Sequence, residues 1–203
     1  MAEESRLERD AMVAALADFE HRELRVDGRR AAVAVAIGGA AGDRRMILTK
    51  RPSKLRAHPG QFALPGGSLD PGETAPQACL RELAEEVGLT AEPSDILGRL
   101  DDYGTRSGYV ITPFVVWVGD TLSTMTVDPG EVATVYEVDA AEIDSDPRFV
   151  YIEESDKPVV QWPFRTSLVH APTGAIVHQF REVVLHRRHT RVADFEQPVF
   201  AWR

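Results

Sequence analysis

A loop rich in Gly and Pro runs directly into a segment with three closely spaced glutamates, and this arrangement constrains the fold more than any other feature of the chain. Residues 66–89 read GGSLDPGETAPQACLRELAEEVGL. Because residues three and four positions apart share one face of a helix, Glu82, Glu85 and Glu86 converge on one side. Apolar residues gather on the opposite side, at Leu80, Leu83, Ala84 and Val87. The segment therefore predicts a helix with one buried face and one acidic face.

The acidic face has two interpretations. Helical glutamates are usually solvated surface residues, which is the ordinary alternative here. Three like charges this close repel one another, however, and no Lys lies among them to offset the repulsion. The preceding glycines let main-chain carbonyls approach a ligand beside the helix. Because hard divalent cations such as Mg²⁺ prefer carboxylate and carbonyl oxygens, we predict a metal site at this face.

The same stretch resembles the signature of the Nudix hydrolases. Every fixed position of that signature is filled, by Gly67, Glu73, Arg81, Glu82, Leu83, Glu85, Glu86, Gly88 and Leu89. So many specified positions at fixed spacing make the match far more specific than a short glycine motif. The resemblance implies an α/β fold, a Nudix-type α/β/α sandwich with a mixed β-sheet. It also implies a hydrolase of nucleoside diphosphates linked to another group, with Mg²⁺ or Mn²⁺ as cofactor.

The resemblance also assigns roles to the matched residues. The implied metal ligands are Glu82, Glu85, Glu86 and Gly67, and the implied catalytic residues are Arg81, Glu85, Glu86 and Glu131. Glu73 and Arg81 are expected to form an orienting ion pair, for which the alternative is an ordinary surface pair of little energetic weight. Gly66 and Gly88 are expected to be structural. Which glutamate acts as the general base is left open.

Glu131 lies outside the signature, in the segment DPGEVATVYEV. In many Nudix proteins a Glu on the loop entering this strand serves as an extra metal ligand or as the general base, and Glu131 occupies the similar place. A second acidic residue often follows three positions later, where this chain has Thr134. A solvated loop glutamate is the alternative for Glu131.

Residues 46–67 carry a second, narrower resemblance, to the coenzyme A pyrophosphatase branch of the family. The matching positions are Leu48, Thr49, Arg51, Arg56, Gly60, Pro65, Gly66 and Gly67, and the departures are Ile47, Pro52 and Leu64. This resemblance implies hydrolysis of coenzyme A or acyl-CoA to 3′,5′-ADP and (acyl-)4′-phosphopantetheine. The alternatives are ADP-ribose, an NDP-sugar or another nucleotide as substrate, and a non-catalytic Nudix-fold binding module.

Local charge in this region agrees with an anionic ligand. The whole chain has a formal net charge of -9. Between residues 43 and 58, in contrast, six basic residues oppose Asp43 alone: Arg44, Arg45, Lys50, Arg51, Lys54 and Arg56. Because a guanidinium offers a planar fork of donors to phosphate oxygens, we expect Arg51 and Arg56 to bind substrate. A basic surface hairpin is the alternative.

Length and composition predict one domain. The chain has 203 residues, 43% hydrophobic and 27% charged, as in ordinary globular proteins. We expect a single Nudix hydrolase domain over 1–203, with an N-terminal helical extension at 1–30, a best-matched core at 31–140 and a divergent part at 141–203. The lone Cys79 is expected to be a packing residue.

The same composition limits the kinds of partner that the chain is expected to bind. The acidic balance argues against nucleic acid or a membrane surface as partner. Neither a long apolar run nor a secretory signal is indicated, so cytoplasmic is the expected location. The expected partner is a small-molecule nucleotide diphosphate, and a homodimer is left open.

Hydrophobic patterning predicts the other elements. Residues 4–22 are expected to form an amphipathic helix, and residues 31–39 and 46–51 to form paired strands, the first buried on both sides. Further strands are expected near 95–103, 109–118 and 131–138, followed by a short helix near 139–143. At the C-terminal end, residues 164–170, 175–185 and 197–203 are expected to form strands.

Overall fold

A computed structural model of the chain describes residues 4–54 and 60–202. The α-helices are α1 Arg9–Ala17, α2 Ala75–Val87, α3 Ala140–Ile143 and α4 Thr173–Phe180. The strands are β1 Arg29–Gly38, β2 Arg45–Lys50, β3 Phe62–Ala63, β4 Gly66–Ser68, β5 Ile96–Arg99, β6 Tyr103–Gly104, β7 Tyr109–Gly119, β8 Thr134–Val138, β9 Arg148–Ile152, β10 Ser155–Phe164 and β11 Ser167–His170. Short 3-10 helices lie at Glu4–Leu7, Pro93–Asp95, Thr121–Thr124, Val192–Asp194 and Val199–Ala201, and a π-helical turn at Arg181–Leu185.

The main sheet is mixed, which confirms the predicted fold class. Its strands run in the order β3-β2-β1-β7-β5, with β4, β6 and β8 paired to β1, β7 and β2. The central pair, β1 and β7, is parallel, and the other pairs are antiparallel. Strands β9, β10 and β11 form a separate antiparallel sheet.

Strand β1 separates two layers of apolar core. Its alternate residues Ala32, Ala34 and Ala36 pack with α2, in a cluster that includes Cys79. The intervening Val35 and Ile37 face the other side, where α1, α4 and β10 contribute the larger core cluster. Since both faces are covered, β1 is a nearly continuous apolar run, as predicted. Helices therefore cover both faces of the sheet.

Helix α2 confirms the helix predicted within residues 66–89. Thr74 and Gln77 form a capping box at its start, with the Thr74 N–H donating to the Gln77 side chain at 2.9 Å. The helix ends at Gly88, whose φ of 71° is left-handed. A Cβ at Gly88 would also lie 2.8 Å from the main-chain nitrogen of Thr126, so glycine is required for the close approach of that segment.

Several predicted elements near the two chain ends are wrong. The N-terminal helix α1 ends at Ala17 rather than near residue 22. Residues 173–185 are helical, not a strand: Ile176, Phe180 and Val183 recur at helical spacing, and the polar residues between them are buried as well. Residues 199–201 form a 3-10 turn instead of a strand. The long hairpin of β9 and β10 was not predicted.

No helix within residues 4–54 or 60–202 is long and apolar enough to cross a membrane.

Candidate active site

Two adjacent glycines bring the main chain against the acidic helix. Gly66 and Gly67 lie in β4, which pairs with β1, and a Cβ at Gly66 would lie 2.3 Å from the Ala32 carbonyl oxygen. A Cβ at Gly67 would lie only 2.2 Å from Oε1 of Glu82. The Gly66 N–H donates to Oε2 of Glu86 at 3.3 Å. Glycine at these two positions therefore lets β4 touch the carboxylates of α2.

Three carboxylates converge beside these glycines. One oxygen from each of Glu82, Glu86 and Glu131 lies within 4.8 Å of the others. Glu131 is carried there by its loop, because the Asp128 N–H donates to the Glu86 carbonyl and the Val132 N–H in turn donates to the Asp128 carbonyl, at 3.1 and 2.9 Å. The loop is thus anchored to the last turn of α2. This group of three is called the carboxylate cluster below.

The cluster is electrostatically costly without a cation. The Glu86 side chain is 3% exposed, and burial raises the pKa of its carboxyl to about 8, despite the Gly66 N–H and the Arg51 charge. Burial also raises the pKa of Glu82, although Arg81 opposes that shift. Neighbouring carboxylates raise both pKa values further. Oxygen donors at this spacing fit a hard divalent cation, which would relieve the repulsion.

Arg81 ties the loop to the helix. Its Nε and Nη2 donate to the two oxygens of Glu73 at 2.8 and 3.0 Å, and its Nη2 also donates to the Ser68 carbonyl. Its Nη1 donates to Glu82 and Glu85, both at 2.9 Å. Hydrogen bonding to Arg81 lowers the pKa of Glu73. The guanidinium is therefore engaged by four protein groups. Glu85 is 59% exposed and lies outside the carboxylate cluster.

A cleft opens beside the cluster, and Arg51 lies at their junction. The cleft has a volume of about 230 Å³, and Arg51, Gly66 and Gly67 contribute to its lining. Nη1 of Arg51 lies 3.9 Å from Oε1 of Glu86. Its buried Nε has no hydrogen-bond partner among the residues that the structure describes. Arg56, the other expected substrate-binding residue, lies outside the described residues.

One part of the site was not predicted from the sequence. Pro172, Thr173, Ile176, Gln197 and Ala201 also line the cleft. All five come from the C-terminal part, which the sequence motifs do not cover. The hydrophobic pattern there predicts strands at 175–185 and 197–203, and no motif is found.

Fold and site together define an α/β/α sandwich protein with an acidic helix-and-loop centre beside a ligand-sized cleft. The model of the NUDIX domain family matches residues 28–162, more than half of the chain, and the chain therefore belongs to the Nudix family. The Nudix hydrolase family predicted from the glutamate signature is confirmed.

Relatives and solved structures agree with this assignment. The chain is 33% identical over 144 residues to a protein of Photorhabdus laumondii named as an uncharacterized Nudix hydrolase NudL, covering 68% of this chain and 76% of that protein. It is 38% identical over 101 residues to Nudix hydrolase 3 of Caenorhabditis elegans, covering 48% of this chain and 42% of that protein. A crystal structure of a NUDIX hydrolase from Alicyclobacillus acidocaldarius is similar in fold, with a TM-score of 0.52 at 19% identity over 77% of this chain and 92% of that one.

Metal stabilisation is expected to grow with pH. In metal-free protein the folded Glu86 carboxyl, with a pKa of about 8, binds its proton more tightly than in the unfolded chain, where the ordinary value is 4.5. The stability that this group contributes is complete below the lower value and is lost as pH rises through the higher one. A bound cation removes that loss. Saturation at 100 times Kd adds about 2.7 kcal/mol to the free energy of unfolding.

Thermal melts with chelator or Mg²⁺ measure this effect. The gain in Tm from Mg²⁺ should be larger at about pH 8.5 than at about pH 6, because a deprotonated carboxylate is the ligand. The Glu86→Gln variant is the control, since it has no proton to lose, and its gain should be small at both pH values. An equal Mg²⁺ response of the intact protein at both pH values would contradict the expectation.

The Gly67→Ala variant should displace the Glu82 carboxylate. The added Cβ would overlap Oε1 of Glu82, so the side chain must move away from its place beside Glu86 and Glu131. A displacement of about 1 Å at a catalytic group costs about 10²-fold in rate, and we expect that loss with the fold intact. Gly104→Ala is the matched control, because its Cβ would meet only the flexible end of Leu24, at 3.2 Å. Turnover and Mg²⁺-dependent Tm are the measurements, and wild-type values for both in Gly67→Ala would refute the expectation.

Proposed function

We propose that the chain is a metal-dependent hydrolase that cleaves the diphosphate linkage of a nucleoside diphosphate derivative. The observation that carries this proposal is the carboxylate cluster, in which one oxygen of each side chain lies within 4.8 Å of the others, beside the two glycines that line the cleft. The cluster offers hard oxygen donors, and the buried Glu86 has a raised pKa that a cation would lower again. Glu82, Glu86 and Glu131, with the main-chain carbonyl of Gly67, would hold Mg²⁺ or Mn²⁺.

The chain's own groups divide the remaining work. When bound, a divalent ion neutralises diphosphate charge and lowers the pKa of a water that attacks phosphorus. Arg51, beside Glu86, donates to a phosphate oxygen. Glu131 is exposed, whereas Glu86 is buried, so the Glu131 oxygen that does not bind the ion is suited to accept a proton. Arg81, saturated by protein acceptors, positions Glu82 and keeps Glu73 against the helix.

Coenzyme A or acyl-CoA is the proposed substrate, with 3′,5′-ADP and (acyl-)4′-phosphopantetheine as products. Three observations support it: the branch motif over residues 46–67, Arg51 at the junction of cleft and cluster, and a largely apolar cleft beyond Arg51. ADP-ribose, an NDP-sugar or another nucleotide is the alternative within the same chemistry.

A non-catalytic binding module is the weaker alternative. Loss of a metal carboxylate is the usual change in such proteins, whereas this chain retains Glu82, Glu85 and Glu86 and adds Glu131 to the cluster.

One domain over residues 1–203 remains our proposal. It is supported by the shared core cluster, in which Leu7 and Met12 pack with Phe180 and Leu185.

A screen of diphosphate substrates tests the function. Coenzyme A, acyl-CoA, dephospho-coenzyme A, ADP-ribose and an NDP-sugar are incubated with the protein and either Mg²⁺ or Mn²⁺, and product masses are measured. The expected result is cleavage of coenzyme A between its two diphosphate phosphorus atoms. Absence of hydrolysis across the panel with either metal would overturn the catalytic proposal, and faster cleavage of another member would replace the substrate.

A further inference from the structure

One wall of the cleft comes from a part of the chain that the family match does not reach. The family model ends at residue 162, whereas Thr173, Ile176, Gln197 and Ala201 line the cleft. Thr105, Ser107 and Tyr109, from the hairpin that joins β6 to β7, also line the cleft. The C-terminal wall therefore lies outside the residues that the family model matches.

An ion pair clamps that wall to the hairpin. The guanidinium of Arg106 forms hydrogen bonds with both carboxylate oxygens of Glu196, and the Glu196 side chain is 7% exposed. The same guanidinium lies over the ring of Trp202, 4.9 Å from its centroid. Hydrogen bonding to Arg106 lowers the pKa of Glu196, which keeps it charged. Gln197 follows Glu196 in the chain and accepts a hydrogen bond from the Arg106 main chain, so the ion pair fixes its position.

The bonds of Gln197 orient its side-chain amide. Its Oε1 accepts the Arg106 main-chain N–H at 2.7 Å, and only the oxygen of an amide can accept from an N–H. Its main-chain N–H and carbonyl are bonded to Glu196 and Trp202. Within the described part of the chain, Nε2 makes no hydrogen bond. Because Gln197 lines the cleft while 97% of its surface is covered, Nε2 is a fixed donor for a ligand there.

The rest of the lining selects an uncharged group. Arg51, at the cluster end, is the one charged side chain among the cleft-lining residues described. The two aromatic rings of the lining are already engaged: Arg29 lies 4.0 Å over Tyr109, and Phe62 contacts Lys50, Tyr136 and Phe164. A nucleobase would gain most from an open aromatic face. A flexible arm with carbonyl acceptors fits the apolar walls and the Gln197 donor better.

We infer that this cleft binds the uncharged, amide-bearing arm of the substrate and that Gln197 recognises an amide carbonyl of that arm, held in place by Arg106 and Glu196. The inference rests on the proposed function for the position of the diphosphate at the carboxylate cluster. It makes Gln197 a specificity residue and Arg106 a positioning residue. The reacting phosphorus atoms lie at the other end of the cleft, beside Arg51.

Ligand-observed NMR titration of the full chain tests the inference without requiring turnover. The probes are pantetheine, which carries amide carbonyls, and adenosine. The variants are Gln197→Glu, which keeps the oxygen that bonds Arg106 and replaces the Nε2 donor, and Gln197→Leu, which removes both. Loss of one neutral hydrogen bond should raise the Kd of pantetheine by about twofold to tenfold in both variants. The Kd of adenosine should not change.

Kinetics supply the second readout. In Gln197→Leu the KM for coenzyme A should rise by the same factor, with kcat nearly unchanged. Arg106→Ala should act in the same direction, whereas the control Arg165→Ala should not. Arg165 is also half-exposed, pairs with Glu142 and lies over the ring of Phe164, but its partners do not include Glu196 or Gln197.

The outcomes separate the inference from the proposed function. An unchanged Kd for pantetheine in both Gln197 variants, or a loss of adenosine binding instead, overturns the inference even if coenzyme A is cleaved. Failure of pantetheine to bind the intact protein also overturns it. A pantetheine response that depends on Gln197, in a protein that hydrolyses no diphosphate, supports the cleft assignment and refutes the proposed hydrolysis alone.

Discussion

Replacing Glu86 by Gln is expected to lower turnover of every diphosphate substrate by about 10²- to 10⁴-fold, which is the usual effect of losing one catalytic group. Glu86 is the most buried member of the carboxylate cluster and lies against Gly66. The amide has the same shape but cannot supply negative charge to a cation. Glu82→Gln should have a similar effect, because Glu82 and Glu86 belong to the same group of three.

Glu85→Gln is the matched control for this experiment. It removes the same charge from the same helix, but Glu85 is exposed, bonded to Arg81 and outside the cluster. Its loss of turnover should be at least about tenfold smaller than that of Glu86→Gln. The free energy of unfolding without metal should be unchanged or higher in Glu86→Gln, since burial already favours the uncharged form. Near wild-type rates in Glu82→Gln and Glu86→Gln with added Mg²⁺ would refute the metal assignment.

Local sequence was sufficient to predict the helix that carries the acidic residues. Thr74 and Gly88 are residue types that commonly begin and end helices, and the apolar stripe between them specifies the buried face. The glycine pair was predictable as permissive backbone. Its physical reason, contact of β4 with Glu82 and with β1, became visible only once the sheet was formed.

The partners of the acidic helix were only partly predictable. Spacing alone groups Glu82, Glu85 and Glu86, because it reports which residues share a helix face and not what their side chains bond. Arg81 draws Glu85 away, whereas main-chain bonds from the loop to the end of α2 bring Glu131 in. Glu131 could be proposed only from the family resemblance, since no local pattern reports a contact between residues this far apart in the chain.

The C-terminal region shows where β-propensity misleads. Residues 175–185 contain several β-branched residues, which favour a strand, although Ile176, Phe180 and Val183 also recur at helical spacing. They are helical because neighbouring elements surround them, so that even Gln179, Arg181 and Glu182 are buried with partners. Helical spacing and tertiary contacts therefore prevailed over β-propensity in the segment that completes the cleft.

Replacing Arg51 by Ala is expected to lower kcat/KM for coenzyme A by about tenfold to a hundredfold, because a charge-assisted hydrogen bond contributes about 1.5 to 3 kcal/mol. Arg51 lies between the cleft and Glu86, and its buried Nε has no partner within the described residues. A phosphate oxygen of the substrate would supply that acceptor. Arg51→Lys should recover only part of the loss, since an ammonium lacks the planar fork of donors.

Substrates that differ in a single phosphate show which group Arg51 contacts. Its place beside Glu86 indicates the diphosphate, so Arg51→Ala should lose the same factor on coenzyme A and on dephospho-coenzyme A. Lys54→Ala is the control, because Lys54 is an exposed cation of the same loop that does not line the cleft.

The sequence assigns Arg56 to a phosphate as well. A loss in Arg56→Ala that is confined to coenzyme A would assign it to the 3′-phosphate. Wild-type kcat/KM in Arg51→Ala would show that Arg51 does not bind the substrate. Far faster cleavage of dephospho-coenzyme A or ADP-ribose by the intact protein would show that the motif over residues 46–67 does not specify coenzyme A in this chain.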